Sequence, residues 1–262
     1  DRDHEATAIA WHPKQQTLAI GWNSGNVSFW DDTRTTQPNS VHATAVSLIV
    51  WSNKGDRLLT ANESGVVFIH AYQEGQLIQL QSYNAEACAS HAQFANSRET
   101  SSAFLLGTTS GCIYNGDDSG TFSKLGNIGS AINSIFFGDS QQIMVIISVQ
   151  SVMFLYQISN ETKISLKKKV KLSIKGDGTN LRFAWDSQCF LLAANKEPCV
   201  RLWSVQSDES IVLPLSDSRH MAKGNDFIVS ITYNPRSMTL VGGTAMGRVV
   251  MWRCMPKRNT DE

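Results

Sequence analysis

The chain has 262 residues, which is enough for one large all-β domain or two ordinary ones. It carries 23 Lys and Arg and 23 Asp and Glu, so its net charge is zero. This balance argues against a nucleic-acid-binding protein that relies on a general basic field.

The five cysteines form no CxxC pair, and their odd number favours a reduced, intracellular compartment over a disulfide framework. No apolar run reaches the ~20 residues that a membrane span needs.

Short strand signals separated by turn residues follow one another along the chain. In residues 40–72, strand-forming runs at 45–51, 57–60 and 66–70 are separated by clusters of Ser, Asn, Glu and Gly. Turn residues between short β-branched runs predict a meander of antiparallel strands. Such a unit cannot bury its two apolar faces alone, so it needs copies of itself to pack against.

Six such units are predicted in chain order. Their first three strands span residues 8–11, 17–21 and 27–30; 45–51, 57–60 and 66–70; 88–94, 103–107 and 112–115; 132–137, 143–148 and 152–157; 181–185, 190–194 and 199–204; and 228–233, 239–242 and 248–253. We predict outer fourth strands at 76–81 and 167–174, and loops at 120–130 and 216–225. No long stretch has the apolar spacing of an amphipathic helix.

An aromatic residue at the end of each first strand marks the repeat. The intervals are 40, 43, 43, 48 and 48 residues, and each third strand ends 18 to 22 residues after its aromatic: Trp11, Trp51, Phe94, Phe137, Trp185 and Tyr233. A period of roughly 40–45 residues with four strands per unit is typical of a β-propeller. We therefore predict an all-β propeller over residues 1–256, with aromatics filling the gaps between blades, and an exit linker at 257–262.

The last unit has no predicted fourth strand, and no strand ahead of residue 8 can supply one. A propeller closes by joining its first and last blades, so that neither presents an open edge. We therefore expect six blades in this chain, a larger protein of which the chain is a fragment, and a complete ring of seven blades with one missing here.

Two dipeptides give these units a family resemblance. Trp30-Asp31 ends the first unit, and Val41-His42 precedes the second. Both resemble motifs of WD40 repeats, in which a His and an Asp of each blade share a hydrogen-bond network. The resemblance implies that His42 and Glu63 form a remnant of that network.

Longer segments extend the resemblance over nearly the whole chain. Similarity to the N-terminal WD40 propeller of an intraflagellar transport complex A subunit is found, in order, in AIAWHPKQQTLAIGWNSGNVSFW (8–30), IVWSNKGDRLLTANESGVV (49–67), KVKLS (169–173) and GRVVMWRCMP (247–256). It implies a non-enzymatic interaction scaffold that supports retrograde ciliary transport and the movement of membrane proteins into the cilium. The implied partners are other complex A subunits and adaptors of ciliary membrane-protein cargo, and the implied location is the cilium, the ciliary base and the cytoplasm. A second propeller and helical repeats are expected beyond residue 262.

The sequence predicts no catalytic, metal-binding or cofactor-binding residue. The six histidines include neither HExxH nor a close pair with metal spacing, and GxxxxGK[ST] and GxGxxG are absent. The adjacent carboxylates Asp31-Asp32 and Asp117-Asp118 lie at strand exits, where solvated turns are expected. Two alternatives stay open: a WD40 scaffold of another assembly such as a vesicle coat, and a propeller-fold hydrolase with carboxylates converging in the central channel.

Lysines are concentrated at the predicted outer strand of the fourth unit: Lys163, Lys167, Lys168, Lys169, Lys171 and Lys175. Over 170–175, polar and apolar residues alternate, so one face is apolar and the other largely basic. The lysines either protect an edge strand against sheet-to-sheet aggregation, or they contact an acidic partner surface or phospholipid headgroups. The candidate partner or lipid contact consists of Lys167, Lys168, Lys169 and Lys171.

Overall fold

The computed structural model describes residues 4–32, 35–36, 39–95, 103–137, 143–159, 163–172, 182–185, 190–194, 197–204, 209–215, 226–234 and 237–253. Every regular element in these ranges is a β-strand. The strands of blade 1 are β1 (Ala6–Trp11), β2 (Leu18–Trp22), β3 (Asn26–Trp30) and β4 (Asn39–Ser40); those of blade 2 are β5 (Val46–Trp51), β6 (Arg57–Asn62), β7 (Val66–Gln73) and β8 (Gln76–Asn84).

The other sheets follow in chain order. Blade 3 contains β9 (Ala89–Phe94), β10 (Phe104–Thr108), β11 (Cys112–Gly116) and β12 (Phe122–Asn127); blade 4 contains β13 (Ile132–Phe137), β14 (Ile143–Ser148), β15 (Val152–Ser159) and β16 (Lys163–Lys171). Blade 5 contains β17 (Arg182–Trp185), β18 (Phe190–Ala194), β19 (Cys199–Ser204) and β20 (Ser210–Pro214), and the last sheet contains β21 (Ile228–Asn234), β22 (Thr239–Thr244) and β23 (Val249–Arg253).

Each blade is an antiparallel meander in which strands adjacent in sequence are adjacent in the sheet. Glycine at the turn before the third strand brings the chain close to the start of the following blade. Gly25 has a φ of 83°, and a Cβ there would lie 2.1 Å from the carbonyl oxygen of His42. Only glycine fits such a left-handed position at so close an approach. The His42 amide in turn donates to the Gly25 carbonyl over 2.9 Å, which fixes the connection between blades 1 and 2.

The predicted number of blades is wrong. The sequence predicts six blades of a seven-bladed ring, whereas the described residues form a ring of five four-stranded blades, and those of the sixth repeat form a three-stranded sheet beside blade 5. Within the described ranges, no strand pairs with the outer edge of β23. A sequence period counts repeats, but a complete blade also requires a fourth strand that pairs with the third. The all-β, WD40-type propeller is itself confirmed.

Three further boundary predictions can be compared with the structure. The sequence predicts a loop at 120–130, but these residues contain β12, which pairs with β11. The outer strand of blade 4 begins at Lys163 rather than at residue 167. The predicted loop at 216–225 and the predicted linker at 257–262 lie outside the described residues.

Consecutive blades pack face to face through apolar clusters. Trp51 is only 8% exposed and lies in the cluster between blades 1 and 2, where its indole Nε1 donates to the Ala10 carbonyl over 3.0 Å. Phe94 is buried in the cluster between blades 2 and 3, and Trp203 is buried between blades 4 and 5. For these positions the prediction that strand-end aromatics fill the gaps between blades is confirmed.

The outer faces of blade 1 and of the last sheet expose apolar side chains. In blade 1, Trp11 is 58% exposed, and its ring meets the edge of Trp30 at a centroid distance of 6.1 Å. In the last sheet, Val249 and Met251 are exposed. Trp11 therefore differs from Trp51, Phe94 and Trp203, because it does not lie in a gap between two blades.

Candidate functional site

The predicted lysine contact lies on β16, the outer strand of blade 4. Leu155 and Tyr156 of β15 pair with Lys168 and Leu166, respectively, so Lys167 is an extra residue in a β-bulge. A bulge in an edge strand disrupts the row of backbone groups with which another strand would pair. This geometry supports the edge-protecting interpretation for at least the middle of the strand.

The bulge also decides which face each lysine occupies. Val170 and Leu172 pack into the apolar cluster between blades 4 and 5. Lys168 lies on the same face as Val170, because the two are separated by one residue of regular strand. Lys169 and Lys171 lie on the opposite face, toward blade 3. The structure therefore brings the four candidate lysines onto one strand but distributes them over two faces.

Two of these lysines lie over aromatic rings. The Lys168 ammonium is 5.6 Å from the ring centroid of Trp203, and the Lys169 ammonium is 5.1 Å from that of Phe154. Cation–π contacts at exposed sites contribute about 0.5–1 kcal/mol each. Lys168 and Lys169 thus contribute to the packing of the blade as well as to its surface charge.

A buried polar network in blade 2 takes a different form from the one expected. The Thr60 hydroxyl lies 2.9 Å from His42 Nε2 and 3.1 Å from His70 Nε2. The other ring nitrogen of His42, Nδ1, is buried without a hydrogen-bond partner, so the expected bond between His42 and Glu63 is not formed. His70 occupies the third-strand position that Trp30 occupies in blade 1.

Burial sets the protonation of both histidines. It lowers the pKa of His42 to about 4, because a charged imidazolium would lose its hydration there. Burial also lowers the pKa of His70 to about 4, and the neighbouring His42 contributes to that lowering. Both rings are therefore neutral near pH 7, and the Thr60 hydroxyl donates to one ring while it accepts from the other.

The adjacent carboxylates Asp117 and Asp118 have structural partners. Asp117 Oδ1 accepts hydrogen bonds from the Ser119 and Thr121 amides and closes the β11–β12 turn. Asp118 accepts from Arg57 Nε over 2.8 Å, which joins blade 3 to blade 2. Across the described ranges, no group of three or more His, Cys, Asp or Glu side chains is placed to hold a metal ion.

A cleft that sequence reasoning missed lies between blades 1 and 2. It has a volume of about 650 Å³ and is formed by the β1–β2 turn, the β5–β6 turn and the β7–β8 hairpin. These three segments are far apart in sequence, so no local motif indicates the cleft. The signal that could have found it is the repeat itself, because antiparallel meanders place all such turns at the same rim of the propeller.

The blades, the interblade aromatics and the His–Thr–His network together define a WD40-type β-propeller. A family model described as the IFT140 first beta-propeller matches residues 1–91 and 74–262, and the chain belongs to this family. Membership implies a scaffold role in intraflagellar transport complex A and an association with the cilium. It favours this assembly over a vesicle coat.

The fold is also similar to that of a solved structure. The crystal structure of the computationally designed Ika8 protein superposes with a TM-score of 0.65 at 14% sequence identity, and the match covers 95% of this chain and 71% of that one. At this identity the likeness supports the propeller fold alone. No helix in the described part of the chain has the length and apolar character required to cross a lipid bilayer.

Proposed function

We propose that this propeller is a non-enzymatic scaffold of intraflagellar transport complex A that supports retrograde transport and the movement of membrane proteins into the cilium. The observation that carries the proposal is the family match, which extends over both ends of the chain. Its partners would be other complex A subunits and the adaptors of ciliary membrane-protein cargo. It would act in the cilium, at the ciliary base and in the cytoplasm.

The rigid interior of the propeller supports a role in holding partners. Blades 1 to 3 are joined by buried aromatics and by the Arg57–Asp118 ion pair, so turns from different blades keep fixed relative positions. A scaffold needs this property, because a partner that contacts two blades loses less conformational freedom when the surface is already ordered.

The lysine strand is the surface that we propose contacts an acidic partner subunit. Lys167 projects from a bulge on the outer strand, and Lys171 lies beyond it, and both are exposed. Positive charge on a partner-facing edge accelerates association with a negative surface and suppresses binding of basic partners. Binding to anionic lipid headgroups is the competing outcome.

The test uses the full-length protein with Lys167 and Lys171 both changed to Glu. These positions are chosen because Lys168 and Lys169 lie over aromatic rings, so reversing their charge would also disturb packing. We expect weaker co-precipitation of complex A subunits from ciliated cells and accumulation of cargo at ciliary tips, while circular dichroism is unchanged. A matched control changes Lys124 and Arg253, two exposed basic residues outside the lysine strand, to Glu.

The outcomes separate the two roles considered for the strand. Normal co-precipitation and normal cargo return with the Lys167/Lys171 variant would leave the strand only an edge-protecting role. Loss of binding to vesicles containing phosphatidylserine, with subunit capture intact, would assign the strand to lipid instead. Absence of complex A subunits from precipitates of the unaltered protein would contradict the scaffold role itself.

A further inference from the structure

The cleft between blades 1 and 2 has a floor that is fixed before any ligand binds. The buried His12 ring accepts hydrogen bonds at Nδ1 from the amides of Lys14 and Gln15, at 3.1 and 2.9 Å. Because Nδ1 accepts, the ring proton is on Nε2, which donates to the Gly55 carbonyl over 3.0 Å. One ring therefore joins the β1–β2 turn of blade 1 to the β5–β6 turn of blade 2.

The surroundings of His12 keep the ring in this position. Its ring meets Trp51 edge-on at 4.7 Å and lies 5.8 Å from Tyr72. Gly55 approaches so closely that a Cβ on it would lie 2.2 Å from two atoms of the imidazole. The cleft is consequently preorganised, and a ligand would not have to order these turns.

The walls of the cleft carry charges of opposite sign in separate places. Lys14 and Lys54 project from the two turns that His12 joins, and both are exposed. Asp56 is already engaged, because the Ser52 hydroxyl donates to it over 2.9 Å and Arg57 lies 3.5 Å from its second oxygen. The two ammonium groups therefore dominate this wall.

The opposite wall is the β7–β8 hairpin. Its tip residue Glu74 is exposed and adopts a left-handed backbone with a φ of 49°. Gln73 and Gln76 flank it, and Gln15 lies on the side of the lysines. Glutamine amides both donate and accept, so they match the alternating N–H and C=O groups of an extended peptide.

We propose that this cleft binds an acidic segment of a partner protein, with the carboxylates of the segment at Lys14 and Lys54 and its backbone along the glutamine amides. The volume lies in the range of ~300–1,000 Å³ that ligand clefts occupy. A phosphate group fits less well, because the Lys14 and Gln15 amides already donate to His12 and none of the described lining residues is an arginine. Glu74 disfavours a lipid surface and favours a segment whose end near the hairpin is uncharged or basic.

This inference deepens the proposed scaffold function, because it names a second contact surface and the chemistry of its partner. The test measures fluorescence anisotropy of a labelled eight-residue peptide of alternating glutamate and serine with the unaltered protein and three variants. Changing Lys14 and Lys54 to Glu is expected to weaken binding roughly tenfold or more. A control variant with the same change in charge outside both proposed surfaces, Lys124 and Arg253 changed to Glu, is expected to leave the affinity unchanged.

The third variant, Glu74→Lys, is expected to tighten binding of the same peptide, because it removes the repulsive carboxylate at the tip of the hairpin wall. Equal losses in the cleft variant and the Lys124/Arg253 control variant would overturn the proposal, because they would indicate a diffuse charge effect. Complete displacement of the peptide by millimolar inorganic phosphate would also overturn it and would indicate an anion site. Absence of peptide binding by the unaltered protein, with complex A subunits still captured, refutes only the cleft. Peptide binding by the unaltered protein without capture of complex A subunits refutes the scaffold role.

Discussion

Acid should destabilise this propeller through the buried His42–Thr60–His70 network. Both rings have a native pKa of about 4, below the ordinary value of 6.5. Between these values the unfolded chain binds protons that the folded chain does not bind. Stability is therefore complete above pH 6.5 and is lost progressively as the pH falls toward 4.

The size of the effect follows from the two pKa values. A pKa lowered from 6.5 to about 4 corresponds to a loss of about 3 kcal/mol for one histidine once the pH is below both values. On going from neutral pH to about pH 5, each histidine should lower the free energy of unfolding by about 2 kcal/mol, and the pair by about 4 kcal/mol.

The assay compares the unaltered protein with His70→Gln by urea denaturation, followed by circular dichroism, at about pH 7 and about pH 5. Glutamine retains a hydrogen bond to Thr60 but does not titrate in this range. The variant should lose about 2 kcal/mol less than the unaltered protein on acidification. His91, whose pKa burial also lowers, is present in both proteins, so its contribution cancels.

The comparison uses the change with pH rather than the stability at either pH, so any packing cost of the substitution cancels. An identical loss of stability in the two proteins would refute the reasoning, because it would mean that His70 does not take up a proton on unfolding. A larger loss in the variant would also refute it, because removing a buried titrating ring can only reduce the uptake of protons on unfolding.

The remaining predictions concern packing. Trp203→Ala should lower the free energy of unfolding by ~3–5 kcal/mol, because the ring is buried between blades 4 and 5, whereas Trp11→Ala should cost far less because that ring is 58% exposed. The midpoints of urea denaturation check both predictions. Equal losses of stability in the two variants would mean that the packing between blades does not depend on its buried aromatic side chains. Gly55→Ala and Gly247→Ala both place alanine at a left-handed φ, which costs about 1–2 kcal/mol. Only Gly55→Ala also places its Cβ against the His12 ring, so it should lower the free energy of unfolding more than Gly247→Ala and should also weaken peptide binding at the cleft. Equal losses of stability in the two variants would contradict the tight contact between Gly55 and His12.

The regular part of the fold is predictable because its signal is local. Alternating residues and turn glycines such as Gly25 and Gly65 mark each strand and each turn within a few positions. The period is visible because Trp51 and Phe94, at the ends of the first strands of blades 2 and 3, perform the same packing task in successive units.

The irregular part is not predictable from such patterns. β12 was missed because Gly126 and a run of small polar residues disguise a strand that is defined by pairing with β11. The bulge at Lys167 was missed because it depends on the register with β15, and it reverses the face of each residue that follows. The cleft depends on His12 reaching Gly55 in the next blade, a contact that spacing along the chain does not encode.

The tryptophans of this chain differ sharply in their access to solvent, and this gives the molecule internal optical reporters. Trp11 and Trp30 sit at the outer face of blade 1, whereas Trp51 and Trp203 are enclosed between blades. Iodide should quench Trp11, which is 58% exposed, more strongly than the two enclosed indoles, which should emit at shorter wavelength. Steady-state quenching could therefore detect a protein that docks on blade 1 without any added label.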